Sequence, residues 1–221
     1  MSWIEGLAKE IWACKACGRL VEYREAVARK PPRRFAGLPY HAKGVSGFGD
    51  PRARLWIIGL APAAHGANRT GRMFTGDRSG EWLYKALYEV GLSAAPESKS
   101  PDDGLALYRV FISAVIRCAP PDNKPLPEEI KACQTYLVQE WHHLRPHLRV
   151  VLALGHLAHR VAADLISFER RPAFFHGALH TSPSGVKLLS SYHPSQQNTF
   201  TGRLTWPMWK SIFETARALM E

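Results

Sequence analysis

Four short apolar runs constrain this chain most: Arg54–Ala61, Val110–Arg117, Val150–Gly155 and Lys187–Tyr192. Runs this short, each followed by a turn-like stretch, are too brief for helices and read as buried strands. Helical spacing fills the intervals. Residues 79–90 (SGEWLYKALYEV) form one such stretch, with Ser79 as its expected N-cap and Gly91 as its stop. Residues 127–144 open with proline and two acids, which suits a helix N-terminus. Further helices are expected over 156–166 and 205–220, and two more, over 3–13 and 20–29, precede the first strand. Strand alternating with helix means βαβ units, hence a parallel sheet covered on both faces. The basic, Pro- and Gly-rich stretch 30–49 reads as an ordered loop, because too little chain precedes it to fold alone. The 221 residues are therefore expected to form a single domain over 1–221.

In a sheet of this kind the site lies beyond the C-terminal strand ends. That rule selects four loops: 60–78, 118–125, 155–157 and 193–203. The first is long and glycine-rich, and long ordered loops in compact domains are usually functional. Within it Phe74 is either a packing plug or a platform on which a base could stack. Asp77, the loop's only carboxylate, is equally suited to capping the next helix and to catalysis. Asn123, in the second loop, carries the amide needed to read a base edge, although an asparagine in a turn is the plainer reading. His193 opens the fourth loop, followed by Pro194 and a run of small polar groups, a pattern that fits a catalytic or anion-binding loop as well as an ordinary exposed histidine.

Charge narrows the partner. Lys and Arg number 29 against 19 Asp and Glu, a net charge of +10. A domain this basic favours a polyanion, and nucleic acid first. No apolar run approaches the ~20 residues of a membrane helix. The first residues lack the basic-then-apolar layout of a secretory signal, so a cytosolic location is expected.

The four cysteines are Cys14, Cys17, Cys118 and Cys133: a C-x2-C pair, then 100 residues, then C-x14-C. In a reducing compartment a metal site is favoured over two disulfides. Four thiolates suit a structural zinc or a [4Fe-4S] cluster, and spacing alone does not separate them. The second pair is not a C-x-x-C knuckle, which tilts the choice toward iron–sulfur.

With these residues in view, the chain resembles the uracil-DNA glycosylase superfamily, and within it the B-type, or family-5, enzymes. The resemblance rests on GLAPAAHG…NRTGRMFTGD after the first core strand and HPSQQNTFTGRLT after the last. C-x2-C near the start and the C-x14-C pair after the second strand complete it, and it runs from Cys14 to the final helix. The resemblance implies a three-layer α/β/α sandwich with a short, mainly parallel four-stranded sheet. It implies a structural [4Fe-4S] cluster on Cys14, Cys17, Cys118 and Cys133, with no catalytic metal. The implied activity is hydrolysis of the N-glycosidic bond of uracil, and of other deaminated bases such as hypoxanthine or xanthine, in DNA. That is the opening step of base-excision repair, carried out here by a monomer.

Residue by residue, the resemblance assigns the flipped base to a pocket of Ala61, Ala63, His65, Gly66, Phe74 and Asn123. Phe74 stacks on the ring, Asn123 bonds the base edge, and backbone N–H groups around Ala61, Ala63 and Gly66 cradle the carbonyls. His193 stabilises the departing anion at O2 and Asp77 orients the water. Ser195, Gln196, Gln197, Asn198 and Arg203 are expected to meet the DNA. Two departures stand out. Leu60-Ala61-Pro62-Ala63-Ala64 carries no polar side chain where many superfamily relatives have Asp, Glu or Asn, an absence the B-type shares. Pro194 stands where B-type relatives often have a small aliphatic residue.

Overall fold

The structure is a computed structural model and describes residues 2–221. The four apolar runs form the strands β2 (Leu55–Gly59), β3 (Val110–Ala114), β4 (Val150–Leu154) and β6 (Lys187–Ser191). They pair in parallel in the order β3-β2-β4-β6, with Ile57 level with Ile112 on one side and Leu152 on the other. The sheet nevertheless has six strands, not four. Two short antiparallel strands close its edges, β1 (Phe48–Gly49) beside β3 and β5 (Leu179–Thr181) beside β6. Their sequences are two and three residues long and part-exposed, so they carry no apolar run to mark them.

Both faces of the sheet are buried, which is why its strands read as continuous apolar runs without alternation. Leu55, Ile57, Ile112 and Leu152 point to one face. There they meet Leu83, Tyr84 and Leu87 of α4 (Arg78–Glu89) and Trp209 and Phe213 of α8 (Trp206–Leu219). Trp56, Ile58, Phe111 and Val151 point to the other. That face is covered by α2 (Gly18–Arg29), α5 (Pro127–Leu144) and α6 (His156–Leu165). Helix α1 (Trp3–Ala13) packs on the same side, with Trp3 against Phe111, and opens on a capping box in which Ser2 and Glu5 each bond the other's backbone N–H. The result is the three-layer α/β/α arrangement. Two short helices complete it, α3 (Ala67–Thr70) and α7 (Gln196–Phe200), both inside stretches expected to be loop. No helix among the described residues is long and apolar enough to cross a membrane.

Candidate active site

The loops beyond the C-terminal ends of β2, β3, β4 and β6 enclose one large cleft of about 1100 Å³. Ala61, Ala63, His65, Gly66, Phe74, Asp77, Asn123, His193, Ser195, Gln196 and Gln197 all line it, so the structure brings together most of the residues singled out in the sequence.

Phe74 and His193 face each other from different walls, ring centroids 6.0 Å apart and planes 28° from parallel. The Phe74 ring lies against Gly59 at the end of β2, where an added Cβ would come within 2.7 Å of Cζ. Phe74 adopts a left-handed φ of +55°, a conformation that costs a bulky residue about 1–3 kcal/mol and persists only where its surroundings impose it. His193 carries no nearby charge to offset its burial, which pushes its pKa down from 6.5 to about 4. At neutral pH the imidazole is therefore uncharged and donates through a single N–H.

Asp77 is both cap and cleft residue. As N-cap of α4 it accepts the Gly80 N–H at 3.0 Å through Oδ1. Its Oδ2 faces Gly66, where a Cβ would come within 2.3 Å, so glycine is what leaves the carboxylate room. Burial raises the Asp77 pKa above the ordinary carboxylate value, while the N–H bonds from Gly80 and Ser79 pull it back. The expected N-cap, Ser79, is displaced from that role. Its hydroxyl instead donates to the Pro194 carbonyl at 3.1 Å and joins the start of α4 to the turn after β6.

Three other expectations change in detail. The Gly66 N–H is spent on the Ala63 carbonyl at 3.2 Å, so it is not a cradle donor; the Gly66 contribution is the space it leaves. Asn198 braces its own loop: its Nδ2 donates to the His193 carbonyl at 2.8 Å and its backbone N–H to the capping Ser195 hydroxyl. Arg203 lies over the Tyr192 ring at 4.5 Å and does not line the cleft. Asn123, with φ +56°, stands exposed at the mouth.

The sequence reading missed a rim of the cleft. Arg34 and Phe35 line it, with Phe35 stacked on His65 at 5.4 Å and the Arg34 and Arg69 guanidinium groups both over the Phe35 ring. Tyr40 bonds His65 Nδ1 through its hydroxyl at 2.9 Å. The one available signal was the basic stretch PPRRF, which has no periodicity. Arg78 and His156 also line the cleft, and the Arg78 guanidinium covers the ring of Phe200, which is 67% exposed.

Cys14, Cys17, Cys118 and Cys133 line a second, smaller cavity between α1, α2 and α5. Arg24, 2% exposed, donates to Cys118 Sγ at 2.9 Å and to the Cys14 carbonyl at 3.2 Å; the Arg117 N–H reaches Cys133 Sγ at 3.2 Å. Burial raises the thiol pKa of Cys17, Cys118 and Cys133. Among the described residues no three His, Cys, Asp or Glu groups are placed to hold a single metal ion.

The family model of the uracil DNA glycosylase superfamily matches residues 46–216. A type-5 uracil-DNA glycosylase of Mycobacterium bovis is 51% identical over 211 residues, 95% of this chain and 79% of its own. The Thermus thermophilus enzyme of the same name is 50% identical, covering 97% of both chains. The one from Pyrobaculum aerophilum is 43% identical over 98% of this chain and 93% of its own. By its sequence, its fold and the cleft beyond its strand ends, the chain belongs to the uracil DNA glycosylase superfamily.

Proposed function

We propose that this chain is a uracil-DNA glycosylase that hydrolyses the N-glycosidic bond of uracil and opens base-excision repair. The observation that carries the reading is the facing pair Phe74 and His193, with the Asp77 carboxylate on the same cleft. The named relatives at about 50% identity support the same chemistry.

A base inside a duplex is out of reach, so the nucleotide is turned out into the cleft. The lip of half-buried Ser195 and exposed Gln196, Gln197 and Phe200 meets the DNA, and the net charge of +10 holds the phosphates. The base stacks on Phe74 and its edge meets Asn123, while the backbone of Ala61 and Ala63 approaches the carbonyls and His65 closes the side. The C1′–N1 bond breaks with both electrons passing to the base, which leaves a positive sugar and a uracil anion. The neutral His193 donates its N–H to the anion at O2. One preorganised donor of this kind is worth ~3–4 kcal/mol of barrier. Asp77 holds a water against C1′ and takes its proton as the new C–O bond forms. Hypoxanthine and xanthine are proposed as further substrates of the same cleft. On this reading the protein works as a monomer in the cytosol.

The cysteine cavity fits a [4Fe-4S] cluster. All four cysteines line one cavity, and in such a cluster each thiolate takes its own iron. Arg24 is buried without a carboxylate in ion-pair reach among the described residues, and such a charge calls for an anion beside it. Cys14, Cys17, Cys118 and Cys133 would hold the group, which supplies a cross-link between α1, α2, α5 and the loop after β3.

The experiment is incubation with oligonucleotides carrying uracil, hypoxanthine or xanthine, followed by alkaline cleavage at abasic sites. Strand breaks at uracil are expected. Tight DNA binding with no breaks at any of the three bases would leave a binding module in place of an enzyme.

A further inference from the structure

The 93–109 loop between α4 and β3 has no part in the chemistry above, yet buried bonds tie it to the wall that carries Phe74. An antiparallel bridge joins Ser93 to Leu107, and the Ala94 N–H donates to the Ala106 carbonyl at 2.9 Å. The Asp103 carboxylate organises the tip by accepting the N–H groups of Lys99, Ser100 and Leu105 at 2.7, 3.2 and 3.0 Å. The same carboxylate takes Arg72 Nη1 at 2.6 Å in a pair whose side chains are 8% and 14% exposed. Arg72 also donates to the Ser98 hydroxyl at 3.0 Å and the Pro101 carbonyl at 2.6 Å. Three residues on, the Thr75 hydroxyl shares a hydrogen bond of 2.8 Å with that Ser98 hydroxyl.

Arg72 and Thr75 bracket Phe74, the residue held at φ +55°. A conformation that phenylalanine does not choose must be imposed from outside. Some restraint comes from nearby chain: the Thr70 hydroxyl donates to the Thr75 and Arg72 carbonyls, and the Thr75 and Tyr84 hydroxyls both donate to the Met73 carbonyl. Further side-chain restraints on this segment run from Arg72 and Thr75 to residues 98–103.

We propose that the 93–107 loop is a positioning strap, which through Arg72–Asp103 and Thr75–Ser98 fixes Phe74 in its left-handed conformation and so sets the plane on which the extruded base stacks. This rests on the reading that Phe74 stacks on the base. Arg72, Ser98 and Asp103 touch no substrate; they act through Phe74.

The test is a set of double-mutant cycles on uracil-containing oligonucleotide, joined to hydrogen exchange at the amides of residues 73–77. Ser98→Ala and Asp103→Asn each lower kcat/KM about tenfold, the scale of one base–aromatic stack, with DNA affinity retained. In a Phe74→Ala background neither lowers it further, because what they position is gone. Exchange at 73–77 quickens in both variants while the central strands keep their protection. Losses that add to that of Phe74→Ala, or unchanged exchange at 73–77, overturn the strap. If Asp103→Asn does not fold, Ser98→Ala decides alone. If the unsubstituted protein leaves uracil-DNA intact, the functional reading fails, and the exchange measurement still decides whether the strap pins 73–77.

Discussion

The floor of the cleft and its lip are built to different standards. On the floor, Phe74 is buried, and Asp77 is fixed by its bond to Gly80. Side-chain bonds from Thr70, Arg72, Thr75 and Tyr84 pin the backbone between them. On the lip, Gln196, Gln197 and Phe200 are exposed on a five-residue helix held by the Ser195 cap and the Asn198 brace. Bond cleavage demands groups placed in advance, since a donor that must first move contributes little to the barrier. A grip on a flexible polyanion works through charge and exposed surface, and needs less rigidity.

That contrast makes floor substitutions act on turnover and lip substitutions on binding. The largest effect belongs to His193→Ala, expected to lower kcat by about 10²- to 10³-fold with DNA affinity unchanged in gel shift. Equal losses in kcat and affinity would erase the division. Asp77→Asn follows at about 10²-fold in kcat, the scale of lost general-base assistance. Asn caps a helix as well as Asp does, so the melting temperature should hold; a drop in melting temperature with normal turnover would make Asp77 a cap only.

The pH profile sharpens the same point. With the His193 pKa near 4 and that of Asp77 raised, the acid limb of kcat/KM is set by Asp77, above the ordinary carboxylate range. Asp77→Asn should remove that limb. Activity that rises on acidification through pH 6.5 would mean that a charged imidazole does the work. The smallest effect is expected at the lip: Phe200→Ala should raise KM about tenfold or less and leave kcat nearly unchanged, measured under steady state at fixed salt.

The central strands were legible because burial on both faces writes itself as an unbroken apolar run, as in Leu55–Gly59. The edge strands were not, because Leu179–Thr181 is three residues long and its side chains are part-exposed. In the cleft, His193 follows closely on the end of β6, while Phe74 and Asp77 stood out as the aromatic ring and the carboxylate of the long glycine-rich loop after β2. Arg34, Phe35 and Tyr40 come from a stretch without periodicity, folded back onto His65 by ring contacts that no local pattern encodes. Ser79 and Asp77 are both good capping residues two positions apart; Asp77 caps, and the Ser79 hydroxyl goes to the Pro194 carbonyl, a partner 115 residues away that no local pattern reveals.

The Ser79–Pro194 bond has a mechanical consequence. It latches the first turn of α4 to the turn that bears His193, so Asp77 and His193 ride on one bracket. Their relative placement is thereby tied by a direct contact between the two loops as well as through the sheet beneath them.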